Sequence, residues 1–235
     1  VANTHAIGIG VRHAISRALA TSNLAPADAT FRVIEARVKL DARDRVVRGE
    51  ATLRIVEPRP LEEWAPGDLM GVVNPDGGHP LMVAVQGESL FLMDIFPVTW
   101  NRWLRQNDDR LPVDLDPLCP HTGTTVERAR VFAHRLGKRL PTEPELRAAW
   151  GEAPHPWGER TDPRLGRIGE PRYGELPEVG LHPPCPSGFF DLGAWLWHWT
   201  EEGTLAGGAP AFDGRLAVPA DPSLSPVGIR LVQDP

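Results

Sequence analysis

Tryptophan recurs at alternate positions in the run Trp195-Leu196-Trp197-His198-Trp199, and few chain conformations accommodate that pattern. Alternate residues of a strand point to opposite faces, and indoles bury a large area on a pleated surface. An extended chain here places Leu192, Ala194, Leu196 and His198 on one side, with Asp191, Trp195, Trp197 and Trp199 mostly on the other. A second anchor lies about forty residues upstream, in Gly137-Lys138-Arg139-Leu140-Pro141-Thr142-Glu143-Pro144-Glu145-Leu146. Thr142 is an N-cap candidate, and Glu145 three residues on closes a capping box ahead of a short helix through Trp150. Pro141 precedes the cap, where the chain is not yet helical.

Between such anchors the chain is rich in turns. With 25 Pro and 23 Gly, long helices cannot dominate. Trp, Phe and Leu recur inside the loops, which points to a compact, loop-rich α+β fold with few regular elements. The net charge of -6 argues against a nucleic-acid surface, which needs a clustered basic face. Arginines are interleaved with acids, as in Glu127-Arg128-Ala129-Arg130, the pattern of a solvated helix face. No apolar run approaches the ~20 residues of a membrane span. No secretory signal is visible, so a cytoplasmic location is expected over secretion, although Val1 is not a start methionine. Cys119 and Cys185 each sit beside prolines outside any Cys-x-x-Cys pair and read as two loop thiols, with a single disulfide as the other option.

Three regions are expected. Residues 1–60 form a small α-β-β element: a helix with Ile7, Val11, Ala14, Ile15, Ala18 and Leu19 at helical spacing, then two strands around the turn Asp41-Ala42-Arg43-Asp44. Such a ribbon is too small to stand alone and needs the larger region or a partner chain against it. Residues 61–79 read as a linker, and 80–235 as the main domain. In that domain strands are expected at Leu81–Val85 and Leu90–Ile95. Helices are expected from Val98 to Leu104 and from Val126 to Leu136, a mostly irregular loop over 151–189, and a final strand over Val227–Val232.

The order of motifs from residue 80 onward resembles the formylglycine-generating-enzyme family, the sulfatase-modifying-factor domains. The matching pieces are Phe96-Pro97-Val98-Thr99, the Lys138–Glu143 signature, Pro156-Trp157-Gly158, the segment Gly188 to Trp199, and Gly228-Ile229-Arg230-Leu231. The resemblance implies a C-type-lectin-like fold with much irregular loop. It also implies an oxidase that acts on a substrate cysteine with copper held by two cysteines before the final strand. In this chain that interval, Gly207 to Pro226, contains no Cys, His or Met. Cu(I) requires soft thiolate or thioether donors, so no copper is expected. Family members also bind Ca²⁺ beside the aromatic strand. Here Asp191 remains as the one candidate ligand, while Trp195 replaces an Asn and His198 a Glu. Calcium wants several hard oxygens, so no cofactor is expected, and His198 reads as a packed, hydrogen-bonded side chain. A related branch, the iron-dependent sulfoxide synthases, takes a His triad from a separate bundle; His5 and His13 have no third partner here.

These departures lead to the expectation of a non-catalytic ligand- or protein-binding module, a recognition or scaffold part of a larger bacterial protein, with no nucleic-acid or membrane partner. The expected surface is the C-terminal loop with Phe212, Asp213 and Arg215, beside Trp195, for which exposure and repacking of a lost calcium site are both open. One alternative is a hypervariable display protein of a diversity-generating retroelement. Another is a divergent oxidase or other enzyme of the sulfatase-modifying-factor family, for which Asp114 and Asp116, Glu143 and Glu145, and His121 are acid–base candidates, though no spacing singles out a pair.

Overall fold

The computed structural model describes residues 30–40, 46–56, 69–71, 81–117, 119–153, 155, 179, 187, 189–193, 195–208, 219–220 and 226–234. The helix expected within residues 7–19, His5 and His13, Cys185 and most of the 151–189 loop lie outside them. The described residues form a mixed α and β structure of short helices and two small sheets.

The larger sheet is antiparallel throughout, with residues 46–56, 30–40, 69–71, 81–86, 90–94 and 232–233 side by side in that order. Its first ribbon, β1 (Thr30–Leu40) and β2 (Val46–Val56), matches the two strands expected around the Asp41–Asp44 turn. β3 (Leu69–Gly71) falls in the stretch expected to be a linker. It pairs with β1 at Thr30↔Met70 and with β4 (Leu81–Gln86) along its whole length, so sheet hydrogen bonding runs from the ribbon into the main domain. β4 and β5 (Leu90–Asp94) form the expected hairpin around Gly87. Both faces of this hairpin are covered. Phe91 and Met93 join Val85 in one apolar cluster, while the intervening Leu92 joins Met82 and Ala84 in another.

Three threonine caps start the three helices among the described residues. Thr99 begins α1 (Trp100–Leu104), Thr125 begins α2 (Val126–Arg135), and Thr142 begins α3 (Glu143–Trp150). Each threonine hydroxyl accepts from the amide three residues on, the placement that satisfies an orphan N–H of a helix start. The capping box expected at Thr142 is complete: its hydroxyl accepts from Glu145 N at 3.3 Å and Glu145 Oε2 accepts from Thr142 N at 2.8 Å. α3 packs Leu146, Ala149 and Trp150 onto the Phe91–Met93 face, together with Phe189 and Phe190. α1 and α2 enclose a separate cluster around Trp103 and Phe132, closed by Leu140, Ile229 and Leu231.

The single final strand expected over Val227–Val232 is two strands. β8 (Val227–Gly228) runs parallel to β6 (Trp197–Trp199), which also pairs antiparallel with β7 (Leu205–Ala206); β9 (Val232–Gln233) adds to β5 of the larger sheet. Arg230 is the reason for the division. It is fully buried, and its guanidinium donates to Asp94 O at 2.8 Å and to Phe190 O. A side chain turned inward to bind two carbonyls interrupts the alternation that a continuous strand requires.

Candidate functional site around His198

The expectation of one long aromatic strand is corrected to a short one. β6 begins only at Trp197, and the chain bends at Trp195 before entering it. Asp191 adopts a left-handed backbone, φ 53°, in the bend that delivers the segment. Both faces of β6 are then covered: Trp197 is buried, His198 is fully buried, and Trp199 is half-buried with its indole N–H donating to Thr124 O at 3.1 Å.

Two glycines make room for these rings. A Cβ on Gly208 would stand 2.0 Å from Trp197 Cδ2, inside the indole. Gly207, at φ 76°, would bring a Cβ to 3.1 Å from His198 Cδ2. Real Cβ contacts are not found at the first of these distances, so the backbone at 208 lies directly against the ring face, an approach open only to glycine.

Among the described residues His198 is the polar centre of this site. Its Nε2 lies 3.3 Å from Asp191 O. A carbonyl only accepts, so Nε2 carries the proton and Nδ1 is left as an acceptor; Nδ1 is buried and has no hydrogen-bond partner. Burial holds the imidazole well below its usual pKa, the Arg230 charge adds to this, and the Asp191 hydrogen bond only partly opposes it. The ring is therefore neutral across the physiological range.

Trp195, one of the residues expected at a binding surface, is 3 % exposed and its indole N–H has no acceptor among the described residues. The bend that keeps Trp195 out of the strand also turns it inward, so of the two options left open by the sequence the structure takes burial. Phe212, Asp213 and Arg215 lie outside the described residues. Asp191 is buried beside the segment. Trp195 and His198, at the positions where the resemblance calls for oxygen donors, present nitrogen instead. Among the described residues no group of three or more His, Cys, Asp or Glu side chains is disposed to hold a metal ion.

The acid–base candidates do not converge. Asp114 and Asp116 are exposed on the loop after α1. Glu143 accepts from the Thr204 hydroxyl at 2.6 Å, and Glu145 serves the capping box and Arg139. His121 is stacked on Trp103 with ring centroids 4.0 Å apart and meets Trp100 edge-on at 4.3 Å. Burial drives its pKa down to about 3, against the attraction of Asp109 and with the repulsion of Arg128. It is a packed aromatic ring rather than a base poised near neutrality. Cys119 is buried in the same α1–α2 cluster.

Sequence reasoning missed the second buried polar centre. Asp94, at the end of β5, is 2 % exposed and receives Lys138 Nζ on Oδ1 at 2.7 Å and Arg102 Nη1 on Oδ2 at 2.5 Å. Burial pushes its carboxyl up, but the two cations and their hydrogen bonds outweigh that and hold it below the ordinary aspartate value. The Lys138–Glu143 signature thus has a physical content beyond its cap. Lys138 neutralises Asp94, and Leu140 enters the core. Arg139 binds Glu145 and Asp234 through its guanidinium while its backbone exchanges 2.9 Å hydrogen bonds with Val232. The available signal was the lone carboxylate in the apolar run Leu90-Phe91-Leu92-Met93-Asp94-Ile95-Phe96, because an aspartate there must find a cation.

No protein-family model matches the chain, and no curated protein matches it.

Proposed function

We propose that this chain is a non-catalytic recognition module built on the C-type-lectin-like fold of the formylglycine-generating-enzyme family. The observation that carries the reading is the replacement of donors. At the positions where the resemblance calls for hard oxygens, the chain has the buried indole of Trp195 and the neutral, buried imidazole of His198. Where it calls for two thiolates, the interval 207–226 has none. Neither calcium, which requires several oxygens, nor copper(I), which requires soft donors, fits these residues.

The mixed α and β architecture and the capped Lys138–Glu143 signature, with Lys138 and Leu140 buried, support the fold part of this reading. The binding surface we assign is the loop carrying Phe212, Asp213 and Arg215, with Trp195 removed from the set because it is interior. Loops on a rigid core are the usual carriers of recognition, and Gly207 and Gly208, packed on His198 and Trp197, would anchor this one firmly at its start.

The test is metal content and turnover on the full chain. Elemental analysis of purified protein is expected to find copper and iron far below one equivalent. Protein offered Cu(I) and a cysteine-containing peptide in air is expected to leave the cysteine unoxidised. Stoichiometric copper or iron, or oxidation of the peptide above the rate with Cu(I) alone, overturns the proposal.

A further inference from the structure

β2 ends the larger sheet, and among the described residues its only strand neighbour is β1. It spans Val46–Val56 and holds no proline. A strand edge of that length offers a row of amide and carbonyl groups that another strand can pair with, unless charge or a break prevents it. The ribbon's own register contains a second anomaly. Arg54 is the direct Cα partner of Arg32, and like charges placed opposite one another destabilise a ribbon.

We infer that β2 is the self-association edge of the protein, pairing antiparallel with β2 of a second copy about a two-fold axis through Thr52. A two-fold perpendicular to the sheet permits only registers that keep odd positions opposite odd ones, since a one-residue slip exchanges the faces. Odd positions on β2, Gly49, Ala51, Leu53 and Ile55, are uncharged, and even positions include Arg48, Glu50 and Arg54. Centring on Arg48 or Glu50 places a residue against its own like charge, and centring on Ala51 places Arg48 against Arg54.

Centring on Thr52 pairs the strand from Arg48 to Val56. It sets Glu50 against the partner's Arg54 twice, Ala51 against the partner's Leu53, Gly49 against the partner's Ile55, and threonine against threonine at the axis. Small residues meet large ones, and Thr–Thr and opposite-charge pairs are among the favourable cross-strand combinations. The row across four strands then reads Arg32, Arg54, the partner's Glu50, the partner's Arg37, because Arg37 is the register partner of Glu50. Arg54, placed beside a like charge within one chain, gains an opposite one from the second copy. Centring on Gly49 also forms opposite pairs, Arg48 with Glu50, but over a shorter stretch that leaves Arg54 outside the pairing.

Sedimentation equilibrium on the full chain over a dilution series tests this. The native chain is expected to dimerise. Arg54→Glu sets acid against acid at two symmetric places and is expected to weaken association about tenfold or more. The same change leaves opposite rather than like charges at the Arg32↔Arg54 register position within each copy. Glu50→Arg is expected to weaken association similarly, and the double exchange Glu50→Arg/Arg54→Glu to restore it. A monomer at all concentrations overturns the inference, as does a dimer indifferent to Arg54→Glu, which would place the contact in the Gly49 register or on another surface.

Discussion

Asp94 and His198 are both polar, both buried, and solved in opposite ways. Asp94 keeps its charge because two cations bind its two oxygens, and helix α1, the signature after α2 and strand β5 meet on it as a result. His198 gives up its charge, spends one nitrogen on a single backbone carbonyl, and leaves the other without a partner. A buried carboxylate with full pairing fastens elements together. A buried neutral ring with an unused acceptor fills space.

The comparison breaks most readily at Asp94. Asp94→Ala leaves Arg102 and Lys138 facing each other in a dry interior, and loss of one partner from a buried ion cluster costs roughly 3–5 kcal/mol. Chemical denaturation should show that loss as a lower midpoint, whereas His198→Leu, which removes one 3.3 Å hydrogen bond along with an unpaired acceptor, should cost clearly less. Equal losses for the two variants would erase the distinction.

Acid sharpens it next. His121 and His198 are both held neutral by burial, so below their unfolded value near 6.5 the unfolded chain takes up protons that the native one refuses. Stability is therefore full above about pH 7 and falls as the pH drops toward His121's native value of about 3, by up to about 2 kcal/mol for His121 between pH 7 and 5, with His198 acting in the same direction. Asp94, with a lowered pKa, adds its loss only below about pH 4, where the unfolded carboxylate protonates first. Denaturant midpoints measured at pH 7, 6 and 5 should decline, and His198→Leu should flatten the decline. A flat native profile would mean that neither ring is buried.

At Gly208→Ala the new methyl falls inside the Trp197 indole, so ring or backbone must shift, and the overpacking is expected to cost at least about 1–3 kcal/mol. Trp197 fluorescence should shift with it. An unchanged melting temperature would place the 208 backbone farther from the ring.

What could be seen in the sequence was local. The Thr142–Glu145 capping box, the β4–β5 hairpin and the Val126 helix each depend on residues within a few positions of one another, and each formed within a residue or two of the expected bounds. The Asp94 cluster joins residues 8 and 44 positions apart, and no periodicity announces such a pairing. The fate of Trp195 was hidden for a related reason: alternation assumes a straight strand, and the chain bends there. Arg230 misled in the same manner, because Val227-Gly228-Ile229-Arg230-Leu231-Val232 reads as one strand unless its arginine is known to point inward. The candidate site was legible as a set of residue types out of keeping with the resemblance, but the geometry that makes them interior was not.

The segment 226–234 carries one strand for each sheet, with Arg230 between them gripping carbonyls of Asp94 and Phe190. Neither sheet is complete without it. During synthesis, therefore, β5 and β6 must wait with open edges until this stretch has cleared the ribosome, and a stop codon anywhere upstream of residue 226 would release a chain able to finish neither layer.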